Sequence, residues 1–279
     1  MPDGGGAAYP QAQTTAARES VAVRPPAGDP PQSYTPEAKP KTRGNAATQR
    51  WSAQIGRTDH RTTMILSGKT LYVGARGGTG GGAGIYALES ATGAQRKILP
   101  AAKGDVIGIA MEGDVLYSSS SSGEVAATST DGKVAFRAAL GAPATTPPTL
   151  VDVDGDGKLE VAVGDAKGKV HLLDGATGKS RWAHAVASPG EAHPAIGAGL
   201  AAADLDGDGA PEIVAGSETG KLVALRGKDA GVAWKMERSS PLRAAPLLVD
   251  VDADGKLEVL AAWADGDVAF LDPRSGKPI

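Results

Sequence analysis

The chain has 279 residues, 39 of them Gly and none Cys, with 4% aromatic residues and a formal net charge of -3. That length holds one large or two small domains, and abundant Gly, scarce Phe and many short apolar runs favour an all-β, turn-rich body. Lack of Cys excludes disulfides and thiolate metal sites, the slightly acidic balance without a basic patch argues against nucleic-acid binding, and no apolar run reaches the 18 residues of a membrane-spanning helix.

Residues 1–50 contain eight prolines and no Leu, Ile, Phe or Trp, with motifs such as Arg24-Pro25-Pro26 and Asp29-Pro30-Pro31. Such a segment buries too little apolar surface to offset its ordering entropy, so residues 1–48 are expected to be a Pro/Ala-rich disordered tail or linker and 49–279 the folded body. Met1-Pro-Asp-Gly-Gly-Gly lacks the basic and apolar regions of a signal peptide, so no export signal is expected in this chain.

From Trp51 onward the chain repeats. The first unit is a tight hairpin, Met64–Gly74 with Gly68-Lys69 at its tip, then Gly84–Glu89, an Ala91-Thr92-Gly93 turn and a strand near Arg96–Leu99. The second runs from Val106–Ala110 through Val115–Tyr117 and Glu124–Ala126 to Val134–Phe136. In units three to five an apolar strand (Pro148–Val153, Ala198–Leu205, Pro246–Val251) precedes an acidic loop. Second strands (Leu159–Gly164, Glu212–Gly216, Leu257–Ala262) and third strands (Lys169–Asp174, Lys221–Arg226, Asp267–Asp272) follow. A fourth strand carries Trp182 or Trp234, and these tryptophans read as anchors for packing between units. Four short antiparallel strands per roughly 45 residues is the size of a propeller blade. Five such units predict a β-propeller of about five four-stranded blades. The fifth unit lacks a fourth strand, and Gln49–Ile55, with Trp51 in the register of Trp182 and Trp234, is expected to supply it and close the ring. The rival arrangement places Trp51 beside the first unit, with the five units forming part of a larger propeller.

The three loops are Asp152-Val-Asp154-Gly-Asp156-Gly157-Lys158-Leu159-Glu160, Asp204-Leu-Asp206-Gly-Asp208-Gly209-Ala210-Pro211-Glu212 and Asp250-Val-Asp252-Ala-Asp254-Gly255-Lys256-Leu257-Glu258. Each sets carboxylates at positions 1, 3, 5 and 9 and Gly at 6, so hard oxygen ligands converge where glycine permits a sharp turn. An EF-hand loop would carry its acidic closer at position 12 between helices, whereas here Glu at 9 runs straight into a strand. Residues 51–279 hold 28 acidic and 23 basic residues, and twelve of the acids sit in these loops. Carboxylates so concentrated repel one another unless neutralised, and bound divalent cations are the simplest relief. Three calcium ions are expected, with a structural role.

This pattern resembles the FG-GAP/VCBS repeats of integrin α-subunit-like β-propellers, in which an Asp-x-Asp-x-Asp-Gly-x-x-Asp/Glu loop joins the first two strands of a blade and holds calcium. The Ala176-Thr-Gly178-Lys179-Ser-Arg-Trp182 stretch also looks like PQQ-type propeller repeats. The resemblance covers roughly 51–279. It departs from the family pattern in lacking a literal FG-GAP tetrad, in having Glu at position 9 throughout, and in lacking the loop in units one and two. It implies side-chain ligands Asp152, Asp154, Asp156 and Glu160; Asp204, Asp206, Asp208 and Glu212; and Asp250, Asp252, Asp254 and Glu258. The carbonyls of Lys158, Ala210 and Lys256 would complete the shells.

No catalytic constellation stands out. His60, His171, His184 and His193 show no paired metal-ligand spacing; Gly77–Gly84 joins two strands and lacks the helix and Gly-Lys-Ser/Thr ending of a phosphate cradle; and Ser118–Ser122 has no nucleophile elbow. The expectation is a non-catalytic, calcium-binding module or scaffold on the bacterial cell surface, in the periplasm or outside the cell, meeting a protein or glycan partner on its loop face. The alternative is a propeller accessory domain of a carbohydrate-active (polysaccharide lyase-like) or quinone-dependent enzyme.

Overall fold

The computed structural model describes residues 50–58, 62–78, 82–197 and 199–279. The chain divides into two units, Met1–Thr48 and Gln49–Ile279. The expected tail over 1–48 lies outside the described residues, as do Gln49, His60, residues 79–81 of the glycine-rich stretch and Ala198.

Among the described residues nineteen strands form five antiparallel sheets, each a simple meander. The first sheet is β1 (Met64–Ser67), β2 (Thr70–Ala75), β3 (Gly84–Glu89) and β4 (Gln95–Leu99). The second is β5 (Val106–Glu112), β6 (Val115–Ser120), β7 (Glu124–Ser129) and β8 (Val134–Ala139). The third is β9 (Thr149–Val151), β10 (Glu160–Gly164), β11 (Lys169–Asp174) and β12 (Ser180–Ala185). The fourth is β13 (Ala201–Ala203), β14 (Glu212–Gly216), β15 (Lys221–Arg226) and β16 (Val232–Glu237). The fifth has three strands, β17 (Leu247–Val249), β18 (Glu258–Ala262) and β19 (Val268–Leu271). No helix occurs among the described residues, so none crosses a membrane. The opening strands of units three to five are shorter than their apolar runs suggested, because the acidic loops turn away early.

Strand alternation explains how the sheets stack. Successive residues point to opposite faces, so Val161 and Val163 meet Val125 and Phe136 of the second sheet, while Ala162 and Leu172 meet Ile213 and Val223 of the fourth. The same division puts Ile85 and Leu99 against Val106 and Leu116, and Val214 and Leu222 against Val259 and Leu271. Each pair of consecutive sheets thus encloses its own core, as blades do in a propeller.

Aromatic residues on the fourth strands lock one blade to the next. Trp182 Nε1 donates to the Gly227 carbonyl at 2.7 Å, and Trp234 Nε1 to that of Pro273 at 2.6 Å. Rings lie so close over the receiving turns that a Cβ on Gly178 would come within 2.3 Å of Phe136, and one on Gly276 within 2.4 Å of Trp234. Phe136 has no N–H, and in that blade Tyr117 Oη donates to the Gly175 carbonyl instead.

Trp51 corrects the expected ring closure. Its Nε1 donates to the Ser90 carbonyl at 2.9 Å, and its ring covers Gly93 of the first sheet. Ala53 and Ile55 continue along Val73, Tyr86 and Leu88, and Arg57 bridges Arg76. Residues 51–55 form no strand, and the outer edge of β19 is met by Pro278, opposite Leu271. Trp51 thus lies beside the first unit, as in the rival placement: its segment serves the first blade as β12 and β16 serve the blades that follow them. Among the described residues no apolar cluster joins the fifth sheet to the first. Their outer faces stay open, with Met64 66% exposed on one and Val268 63% on the other.

Candidate metal centres

The acidic loops occupy the β9–β10, β13–β14 and β17–β18 connections, at the same end of three consecutive blades. The same hydrogen bonds shape each one. The first Asp folds the loop around itself: Asp152 Oδ2 accepts the Gly157 N–H at 2.8 Å, Asp204 Oδ2 that of Gly209 at 2.8 Å and Asp250 Oδ2 that of Gly255 at 2.9 Å. Gly157, Gly209 and Gly255 adopt φ values of 80, 85 and 85°, a region L side chains enter only with strain. The Asp at position 5 accepts the N–H two residues on, from Lys158, Ala210 or Lys256. Glu at position 9 opens the second strand and reaches back: Glu160, Glu212 and Glu258 accept the N–H groups of Val153, Leu205 and Val251 through Oε2.

This geometry gathers oxygen atoms. Carboxylate oxygens of Asp152, Asp154 and Glu160 lie within 4.8 Å of one another, as do those of Asp204, Asp206 and Glu212, and those of Asp250, Asp252 and Asp254. Of the expected side chains, Asp156, Asp208 and Glu258 fall outside these trios. Asp156 turns to the Lys158 ammonium at 3.0 Å, Asp208 to its own loop backbone, and Glu258 to the Val251 N–H. An all-oxygen donor set on a tight, glycine-hinged loop fits a hard divalent cation such as calcium.

Electrostatics separate the members of each loop. Hydrogen bonds from Gly157 and its neighbours hold the Asp152 carboxyl below the usual carboxylate range. Burial pushes Glu160 and Glu212 the other way, and the nearby aspartates add to it. Each buried glutamate therefore gains from a cation.

Among the described residues the histidines take no part in these groups. Of the described ones, His171 on β11 is buried and pairs through Nε2 with Asp165 Oδ2 at 2.8 Å. Asp165 also accepts the Lys167 and Lys169 N–H groups, which pins the β10–β11 hairpin; Ser217 accepts the Lys221 N–H equivalently in the next blade. Sequence reasoning missed Asp165, although its place just after the second strand, shared with Ser217, was a usable signal. His184 lines a cavity of about 330 Å³ with Lys221, Lys235 and Glu237, where Lys221 pairs with Glu191. The serine stretch lies in β6 and the following turn, with Ser118, Ser119 and Ser120 fully buried.

The FG-GAP-like repeat, as a sequence family, matches residues 152–215, a span that includes the first two acidic loops whole. Residues 152–215 carry an FG-GAP-like repeat. No curated protein matches the chain. Among solved structures the chain resembles BamB from Moraxella catarrhalis at 21% identity and a TM-score of 0.55, over 76% of this chain and 57% of that one. It also resembles the computationally designed Ika8 protein at 16% identity and a TM-score of 0.57, over 78% of this chain and 60% of that one. The quinohemoprotein alcohol dehydrogenase from Comamonas testosteroni gives 15% identity and 0.57, over 78% and 42%. The chain thus spans less than two thirds of each of these proteins. At such identities the likeness establishes the fold, a β-propeller, and leaves the chemistry to the residues themselves.

Proposed function

We propose that this propeller is a non-catalytic binding or scaffold module that works in the periplasm, at the cell surface or outside the cell, with calcium in its three acidic loops as structural cement. The observation that carries this reading is the threefold recurrence of converging carboxylate oxygens on loops of one shape. The side chains of Asp152, Asp154 and Glu160, of Asp204, Asp206 and Glu212, and of Asp250, Asp252 and Asp254 would supply the first contacts. Small movements of Asp156, Asp208 and Glu258 and the carbonyls of Lys158, Ala210 and Lys256 would fill the shells. Calcium there would supply positive charge that offsets carboxylate repulsion and would tie the start of the second strand of these three blades to the end of the first. The aspartates already satisfy their own backbone, which suits a structural role.

Cation binding to the folded form alone stabilises it by mass action, by about 2.7 kcal/mol per site at a hundredfold excess over Kd. Calorimetry of the chelator-stripped chain should register calcium uptake, with magnesium competing poorly because its small octahedral shell does not suit these loops. Absence of any calcium heat, or of any upward shift in melting temperature with calcium, would overturn the reading. A protein or glycan partner is expected on the loop face, where repeat propellers present their variable connections. Glycan arrays and crosslinking with the calcium-loaded chain test for it.

A further inference from the structure

The three loops share one backbone design but differ in their charge. Arg181 on β12 sends its guanidinium across to the β9–β10 loop, where Nη1 lies 2.7 Å from Asp154 Oδ2 and Nη2 lies 2.9 Å from Glu160 Oε1. Those are two of the three carboxylates whose oxygens converge in the first loop. The corresponding position in the fourth sheet, just before Trp234, is Ala233. Among the described residues, Asp204, Asp206 and Glu212 form no ion pair; the Arg274 guanidinium that reaches this loop donates to the Asp206 carbonyl at 2.7 Å and not to a carboxylate. In the third loop Lys256 pairs with Asp254, a single member of that loop's trio, and in the first Lys158 pairs with Asp156, outside the trio; neither lysine bridges two converging carboxylates. Arg181 does.

We infer that Arg181 is a built-in counter-ion of the first loop, holding its affinity for a divalent cation below that of the other two and neutralising buried Glu160 when the cation is absent. The inference rests on the calcium reading above. A guanidinium is always charged and presents a planar fork that two carboxylates can grip together, so it is a fixed competitor, whereas the lysines sit on flexible stems in solvent. A calcium ion entering the first loop either displaces the fork or binds beside it. One unit of positive charge several ångströms from a divalent ion weakens binding about tenfold even at the dielectric constant of water.

The test uses the full chain and calcium itself. In an Asp206→Asn, Asp252→Asn background, which silences the second and third loops, calorimetry reads the first loop alone. Arg181→Ala should tighten its calcium affinity about tenfold, and Arg181→Lys should fall between. In the otherwise native chain the same change should merge a two-class binding isotherm into one class, a readout that does not depend on the background variant folding. Melting temperature supplies a second contrast: Arg181→Ala should lower it in chelator, where Glu160 loses its guanidinium partner, and should not lower it in saturating calcium. An unchanged first-loop affinity, or equal destabilisation with and without calcium, overturns the role given to Arg181 while leaving the calcium reading intact. Calcium binding nowhere in the native chain overturns both.

Discussion

Two alanines sit where the repeat otherwise places glycine. Ala253, at position 4 of the third loop, has φ 61°, where Gly155 and Gly207 have 75 and 83°. Ala230, in the turn before β16, has φ 61° and donates its N–H to the Arg226 carbonyl, as Gly178 does to that of Asp174 in the preceding blade. A left-handed residue with a Cβ costs about 1–2 kcal/mol. Glycine removes that strain but brings back about 0.5–1 kcal/mol of chain entropy in the unfolded state. Strain is the larger effect, so Ala253→Gly and Ala230→Gly should each stabilise by about 0.5 kcal/mol, seen as a higher urea midpoint at constant slope. A lower midpoint in both would mean that the methyl groups make contacts worth more than the strain.

At the scale of the element, the Trp51 segment is the informative case. It forms no ladder, yet Trp51, Ala53 and Ile55 cover Val73, Ala75, Tyr86 and Leu88, so its hold on the body is packing plus the indole hydrogen bond to Ser90. Trp51 is only half-buried, so Trp51→Ala should cost about 2 kcal/mol, less than the 3–5 kcal/mol of a fully buried aromatic. Amide exchange should speed up in β2 and β3 and stay unchanged in β18 and β19. Faster exchange centred on β19 would instead restore the closed-ring arrangement. Deleting residues 1–45 should leave stability unaltered, while deletion through 57 should match or exceed the Trp51→Ala loss.

For the whole molecule, the open ends decide which apolar residues matter. Leu222 on β15 and Val268 on β19 hold equivalent strand positions and point the same way around the propeller. Leu222 is fully buried against the fifth sheet, and Val268 is 63% exposed because no described sheet packs against it. Leu222→Ala should therefore cost about 3 kcal/mol through lost burial and a cavity. Val268→Ala should stay within about 0.5 kcal/mol, as surface substitutions do. Denaturant titration separates the two, and equal losses would show that the outer face of the fifth sheet is covered in solution.

The sequence by itself determined the repeating unit, the four-strand rhythm, the three acidic loops and the tryptophans that anchor one blade to the next. Those features are written locally: alternation of period two assigns each side chain to a face, and Asp and Gly at fixed spacing impose a turn whatever lies beyond. Tertiary structure alone decided which blade Trp51 serves. Its docking turn, Ala91-Thr92-Gly93, recurs as Ala176-Thr177-Gly178 and, with changes, as Arg274-Ser275-Gly276, so spacing along the chain could not choose among them. Packing chose the first, where Val73, Tyr86 and Leu88 present an apolar face to the same segment. The Arg181 fork and the Asp165–His171 pair were hidden for a related reason. Arg181 meets Asp154 across 27 residues and two intervening strands, a proximity created only when the meander folds back on itself.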